Sequence, residues 1–115
     1  MNILVVDDES VIRSGIERTI RNHFPEYGVF LASNPEGAAH LLKKEAIDLV
    51  LTDVLMPGMT GLELMEISRG SHARVKWVVI SAYSEFAYAQ EAMRLGARDY
   101  LLKPIAEADV ARLLE

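Results

Sequence analysis

Short runs of apolar residues alternate along this chain with segments in which apolar residues recur every three or four positions. The runs predict strands near residues 2–6, 28–32, 48–52, 76–80 and 99–102. Continuous apolar strands separated by helical segments are typical of a parallel sheet with helices on both faces, because such strands are buried on both sides. The pattern therefore predicts an α/β fold.

The first two helices are predicted from their start signals and apolar spacing. Helix 1 follows Asp8-Glu9-Ser10, in which Asp8 or Ser10 is a suitable N-cap. Its apolar positions at helical spacing are Val11, Ile12, Ile16, Ile20 and Phe24. Helix 2 begins at Pro35 after Asn34, since proline suits the first turn of a helix. Its predicted buried positions are Ala38, Leu41 and Leu42.

Three further helices are predicted from similar signals. Thr60 and Glu63 form a capping-box pattern at the start of helix 3. The apolar face of helix 3 consists of Leu62, Leu64, Met65 and Ile67. Ser84 precedes helix 4, and Gly96 is placed to end it. Helix 5 begins near Ala106, and its apolar positions are Val110, Leu113 and Leu114.

Reactive polar groups follow four of the five predicted strands. Asp7 and Asp8 follow the first strand, Asp53 the third, Ser81 the fourth and Lys103 the fifth. The carboxyl ends of parallel strands lie along one edge of the sheet, where open α/β sheets bind their ligands. We therefore expect these side chains to share one pocket. Taken singly, each has an ordinary structural explanation as a helix cap, a turn residue or a solvated side chain. Their coincidence at four strand ends favours a functional site.

The expected pocket suits magnesium and a phosphoryl group. Carboxylates held together in a cleft raise each other's pKa unless a cation neutralises them. Mg²⁺ prefers carboxylate, water and phosphate oxygens, whereas zinc prefers the Cys and His ligands that are missing from these strand ends. Lys103 and Ser81 are suited to hold phosphoryl oxygens. Asp53, at the middle strand, is the candidate nucleophile that forms an acyl phosphate.

Composition narrows the possible partners and location. The chain has 115 residues, about the length of one domain, and no linker, repeat or low-complexity stretch. Its net charge of −5 disfavours binding to nucleic acid or anionic membranes. It has no Cys, no apolar run long enough for a membrane span and no signal-peptide pattern, so we expect a cytoplasmic protein. The short final helix leads us to expect a truncated last helix and a fragment of a longer protein.

The chain resembles a two-component response-regulator receiver domain over its entire length, residues 1–115. The matching segments are Asp7-Asp8, Asp53 within residues 51–61, Ser81-Ala82, and Tyr100 through Lys103-Pro104. The resemblance implies a flavodoxin-like (CheY-like) doubly wound sheet of five strands in the order 2-1-3-4-5. It also implies that the domain is a switch rather than an enzyme, and that it accepts a phosphoryl group from a histidine kinase onto Asp53.

The resemblance also assigns roles to individual residues. It implies that Asp8, Asp53 and the backbone carbonyl of Leu55 bind Mg²⁺ directly, and that Asp7 helps through water. Ser81 and Lys103 would contact the phosphoryl oxygens.

Three features concern the response to phosphorylation. The resemblance implies that Tyr100 is an aromatic switch that turns inward after phosphorylation, and that the Lys103-Pro104 bond is cis. Leu55 and Tyr83 would flank the path of the hydrolytic water. Neither offers a carboxylate or amide to orient that water, so we predict a slow loss of phosphate.

A narrower resemblance concerns the stretch from Ser81 to Phe86 and from Ala89 to Tyr100, which is similar to receivers joined to AraC-type helix-turn-helix domains. It implies that the parent protein is a transcription factor that binds DNA through a missing C-terminal domain. A homodimer through helix 4, strand 5 and helix 5 is a further expectation. The candidate contact residues are Phe86, Tyr88, Arg94, Arg98 and Asp99.

Other classes of protein remain open at this point. A small aspartate-nucleophile phosphatase needs a second acid two residues after its nucleophile, and position 55 is Leu. A flavodoxin-like nucleotide binder needs a glycine-rich or hydroxyl-rich loop after strand 1, where Asp7-Asp8-Glu9 would repel phosphate. A pseudo-receiver that only mediates protein contacts would have lost an acid or the lysine.

Overall fold

A computed structural model describes residues 1–82 and 86–115 of the chain. In these residues, one sheet contains the strands β1 (Asn2–Val6), β2 (Gly28–Ala32), β3 (Leu49–Asp53), β4 (Lys76–Ser81) and β5 (Asp99–Leu102). The strand order is β2-β1-β3-β4-β5, and all four pairings are parallel. The predicted α/β class and strand order are therefore confirmed.

Helices cover both faces of the sheet. They are α1 (Ser10–His23), α2 (Pro35–Lys44), α3 (Gly61–Ser68), α4 (Phe86–Arg94) and α5 (Glu107–Leu114). The helices α1 and α5 pack on one face, and α2, α3 and α4 pack on the other. Among the described residues, no helix has the length and apolar character required to cross a membrane.

The alternation of side chains along β1 explains why its sequence is continuously apolar. Ile3 and Val5 point to the face covered by α1 and α5, whereas Leu4 and Val6 point to the opposite face. All four are fully buried. Burial of an aliphatic side chain of this size contributes about 1.5–3 kcal/mol, so both layers of the core depend on this strand.

Several predicted helix ends are confirmed. Asn34 Oδ1 accepts a hydrogen bond of 2.7 Å from the backbone N–H of Gly37. Thr60 and Glu63 form a reciprocal capping box with two bonds of 3.0 Å. Gly96 has a φ of 93°, the left-handed conformation that suits a residue after the end of α4. The proposed cap Ser84 and the flanking residue Tyr83 lie outside the described residues.

Three local predictions are wrong. Helix α1 begins at Ser10, with Glu9 at the N-cap position and no side-chain cap, so neither Asp8 nor Ser10 caps it. Val11 is 80% exposed and Ile67 is 60% exposed, although both were assigned to apolar helix faces. At about 100° per residue, Ile67 lies about 160° from the buried Met65, which places it on the solvent side of α3. Val11 is likewise turned away from the stripe that buries Ile16 and Ile20.

Candidate functional site

The strand register brings the predicted site residues to one edge of the sheet. Val6 pairs with Thr52, so Asp7 follows β1 beside Asp53 at the end of β3. Asp53 in turn pairs with Ile80, and Ser81 is the next residue of β4. The backbone N–H of Lys103 donates a 2.7 Å hydrogen bond to the carbonyl of Ser81, which fixes the end of β5 to the end of β4.

The ammonium of Lys103 lies among three carboxylates. Its Nζ is 2.9 Å from Asp7 Oδ2, 3.0 Å from Glu9 Oε1 and 3.2 Å from Asp53 Oδ2. The Lys103 side chain is only 9% exposed. One buried cation therefore connects the ends of β1, β3 and β5.

The acidic side chains form a possible metal site. Asp7, Asp8, Glu9 and Asp53 each offer one carboxylate oxygen, and these oxygens all lie within 4.8 Å of one another. In the described part of the chain, Asp7 Oδ2 is the buried side-chain atom without a hydrogen bond, and it forms a 2.9 Å ion pair with Lys103. An all-oxygen set with an unsatisfied buried carboxylate oxygen matches the chemistry of Mg²⁺.

Burial and charge act in opposite directions on the two central groups. Burial, and then the charge of Asp7, raise the pKa of Asp53 above its ordinary value of 3.8, although Lys103 opposes this effect. Burial by itself lowers the pKa of Lys103, but its contacts with Asp7 and Glu9 and the charge of Asp53 raise it above its usual range. Lys103 is therefore a permanent cation, whereas the charge on Asp53 is unfavourable without more positive charge nearby.

The backbone around Asp7 is held from several sides. Its N–H donates to the carbonyl of Ala32 over 3.1 Å, and its carbonyl accepts from Arg13 Nη1 over 2.6 Å. Its Oδ1 accepts a 2.9 Å hydrogen bond from the N–H of Glu9. The Oδ2 atom therefore remains directed at Lys103 rather than at the helix start.

The start of α3 packs directly on Asp53. A Cβ atom added to Gly61 would lie 2.0 Å from the carbonyl oxygen of Asp53, which no side chain can tolerate. The hydroxyl of Thr52 donates a 3.1 Å hydrogen bond to the same carbonyl. Sequence reasoning missed this role of Gly61, which was visible only as a glycine after a capping residue.

The remaining predicted residues occupy varied environments. Ser81 is fully buried at the edge, whereas Asp8 is exposed there. Leu55 and Tyr100 are half-buried and pack against the core cluster on the α2, α3 and α4 face. The Lys103-Pro104 bond is cis, as the resemblance implied.

Glu9 is the residue at this edge whose contact with Lys103 the sequence did not indicate. Its position directly after Asp7-Asp8 was the available signal. The contact itself joins residues that are 94 positions apart.

The strand order and the acidic edge together define a CheY-like α/β domain. The chain belongs to the family of response regulator receiver domains, whose model matches residues 3–115. The fold of a response regulator receiver protein from Pseudomonas putida superposes with a TM-score of 0.90 at 29% identity, over 98% of this chain and 93% of that chain. Receiver domains are signalling domains rather than classical enzymes.

The curated relatives are longer than this chain. It is 38% identical to the transcriptional regulatory protein YesN of Bacillus subtilis over 116 residues, which is 98% of this chain and 31% of YesN. It is 34% identical to the response regulator UvrY of Escherichia coli over 110 residues, which is 96% of this chain and 50% of UvrY. The chain therefore spans at most about half the length of these relatives.

Proposed function

We propose that this domain is a phosphorylation-dependent switch that accepts a phosphoryl group from a sensor histidine kinase onto Asp53. The observation that carries the proposal is the contact between the buried Lys103 ammonium and the Asp53 carboxylate inside an acidic cluster. A lysine in this position can stabilise negative charge that is added to Asp53. Membership in the receiver family supports the same conclusion.

In the proposed reaction, an Asp53 carboxylate oxygen attacks the phosphorus of a phosphohistidine. A new P–O bond forms as the P–N bond breaks, and the leaving imidazole keeps the electron pair and takes up a proton. The product is an acyl phosphate. Asp53 must be ionised to attack, and the nearby Lys103 favours the ionised form against the effect of burial. Ser81 and Lys103 would then donate hydrogen bonds to the phosphoryl oxygens.

Magnesium is the proposed cofactor. Asp8, Asp53 and the backbone carbonyl of Leu55 would hold it directly, and Asp7 would hold it through water. When bound, Mg²⁺ supplies positive charge that offsets the carboxylates and the incoming phosphoryl oxygens.

The proposed output is a change of the surface formed by α4, β5 and α5. A phosphoryl group adds about 1.5 to 2 negative charges and three acceptor oxygens beside Ser81 and Lys103. The hydroxyl of Ser81 would move toward the phosphoryl group, the loop after β4 would be drawn inward and Tyr100 would become buried. A coupling of about 1–3 kcal/mol is reasonable for such a switch. The exposed residues Arg94 and Arg98 lie on the side where we propose homodimer contacts, together with the half-buried Tyr88 and Asp99.

The proposed whole protein is a cytoplasmic transcription factor. YesN is named a transcriptional regulatory protein, and this chain matches less than a third of its length. The parent of this domain would bind DNA through a C-terminal domain of the AraC type, while the domain itself would contact the kinase and a second copy of the chain.

The test is phosphorylation by acetyl phosphate in the presence of Mg²⁺, followed by intact-protein mass spectrometry. We expect a single added phosphoryl group on the wild type and on Glu26→Gln, a control at an exposed acid between α1 and β2. We expect no addition on Asp53→Asn or without Mg²⁺. Addition to Asp53→Asn would contradict the assignment of the nucleophile. Release of many phosphates per protein would favour the phosphatase.

A further inference from the structure

The three carboxylates around Lys103 differ in their freedom to move. Lysine has three N–H donors, and the carboxylates of Asp7, Asp53 and Glu9 all lie within 3.2 Å of Nζ. The side chain of Asp7 is fully buried and that of Asp53 is 9% exposed. The side chain of Glu9 is 60% exposed. Glu9 is therefore the carboxylate of the three that can leave Lys103 and be solvated by water.

Glu9 has an anchored backbone and an exposed side chain. It precedes α1, and its N–H donates to Asp7 Oδ1, so its backbone is tied to the edge of the sheet. Its side chain makes no capping hydrogen bond to α1. It extends instead to Lys103 at the end of β5, where Oε1 accepts a 3.0 Å hydrogen bond from Nζ.

We propose that Glu9 is a positioning residue that holds the Lys103 ammonium in the resting domain and competes with the phosphoryl group for it. The inference rests on the proposed function of Asp53. A phosphoryl oxygen on Asp53 needs an N–H donor from Lys103, and in the resting arrangement Lys103 Nζ donates hydrogen bonds to Glu9 and Asp53 and forms an ion pair with Asp7. Because the carboxylates of Asp7 and Asp53 are buried and that of Glu9 is exposed, Glu9 is the carboxylate that can release Lys103 to the phosphoryl group.

This competition predicts that removal of the Glu9 contact strengthens the binding of a phosphoryl group. An ion pair with one solvent-exposed partner contributes modestly, so we expect an increase of about two- to fivefold in affinity for a phosphoryl analogue. The contact also shields the amine of Lys103. Its loss should therefore make that amine more reactive in the resting protein.

The experiment uses beryllofluoride as the phosphoryl analogue, at saturating Mg²⁺ so that changes in metal affinity do not enter. Its affinity is measured by NMR titration for the wild type, Glu9→Gln and Glu9→Asp. Glu9→Asp keeps the charge but is one methylene shorter, and an Asp at the N-cap position bonds to the helix N–H groups instead. Glu107→Gln, at the exposed start of α5, is the control for loss of a nearby charge.

A second measurement follows Lys103 directly. The metal-free proteins are treated with limiting acetic anhydride, and modification of Lys103 is quantified by peptide mass spectrometry. A positioning contact predicts faster modification in both Glu9 variants, whereas Glu107→Gln should match the wild type.

The expected result is that both Glu9 variants bind beryllofluoride more tightly and react faster at Lys103. An increase in Glu9→Gln alone would overturn the inference, since it would reflect charge repulsion without the contact. Unchanged or weaker binding in both variants would also overturn it. If the wild type neither binds beryllofluoride nor accepts a phosphoryl group, the proposed function fails first, so the two failures are distinguishable.

Discussion

Replacing Asp53 with Asn should stabilise the domain when no divalent cation is present. At an effective dielectric constant of about 20, the 3.2 Å contact between Asp53 and Lys103 corresponds to an attraction of about 5 kcal/mol. Asp7, within 4.8 Å, corresponds to a repulsion of at least about 3.5 kcal/mol. Asp8 and Glu9 add repulsion that solvent and salt partly screen. Burial of the Asp53 charge adds a further cost, so the sum is unfavourable.

The magnitude follows from this near cancellation. We expect Asp53→Asn to raise the free energy of unfolding by about 1–3 kcal/mol in chelator at pH 7.5, because it removes a charge whose repulsion and burial cost together exceed its attraction to Lys103. Urea unfolding followed by circular dichroism measures it, and Glu26→Gln is the matched control. Added Mg²⁺ should stabilise the wild type more than the variant, because the variant lacks one of the proposed Mg²⁺ ligands.

The pH dependence of stability tests independently whether Asp53→Asn stabilises the domain. The pKa of Asp53 is raised in the folded state, so the folded protein loses stability as the pH rises from the ordinary value of 3.8 through the raised value. The advantage of Asp53→Asn should therefore be full at neutral pH and should vanish below pH 3.8, where Asp53 is protonated in both states. A variant that is less stable than the wild type in chelator, or equally favoured in acid, would refute the reasoning.

Three further predictions concern the same edge of the sheet. Lys103→Met should lower the free energy of unfolding by about 3–5 kcal/mol in urea, because it leaves buried carboxylates without their cation. The loss should be smaller when Lys103→Met is combined with Asp53→Asn. Simple additivity of the two changes would contradict a shared cluster. Gly61→Ala should lower stability by about 1–3 kcal/mol in thermal melts, since its Cβ collides with the Asp53 carbonyl. Its control Gly15→Ala, in a helix position with no atom within 4 Å of the new Cβ, should raise stability by about 0.5–1 kcal/mol. Leu55→Asn should release phosphate from phosphorylated protein faster than the wild type, because an amide can orient the attacking water; equal rates of phosphate release would count against it.

The inner strands were predictable because they are buried on both faces of the sheet. Residues 2–6 in the inner strand β1 were predicted with the bounds that the structure has, and so were residues 28–32 in the half-buried edge strand β2, since both form continuous apolar runs. Helix faces were less certain, because neighbouring apolar residues do not reveal which of them meets the sheet. Val11 and Ile67 show this, since each adjoins a buried stripe but points to solvent.

The sequence predicted which residues meet at one edge of the sheet, but it did not predict which of their side chains touch. Parallel pairing alone brings Asp7, Asp53 and Ser81 to one edge, whatever the details of packing. The convergence of three carboxylates on Lys103 depends on side-chain reach across the end of the sheet, and no periodicity in the sequence encodes that. The close approach of Gly61 to Asp53 depends on the entry angle of α3 in the same way.

The imbalance of charge at this edge explains why it would respond to phosphorylation. Four carboxylates cluster at this edge and three of them contact the one ammonium of Lys103, so the resting arrangement holds more negative charge than Lys103 can neutralise. A cation relieves that excess, and a phosphoryl group on Asp53 restores it at a new position. Side chains that can move must then rearrange in response to the shifted negative charge. Lys103 is tied through its own backbone to Ser81 in β4, so a change in its partners acts on β4 and β5 together. The proposed output surface contains β5. A change at Asp53 can therefore reach that surface through Lys103, which lies at the end of β5.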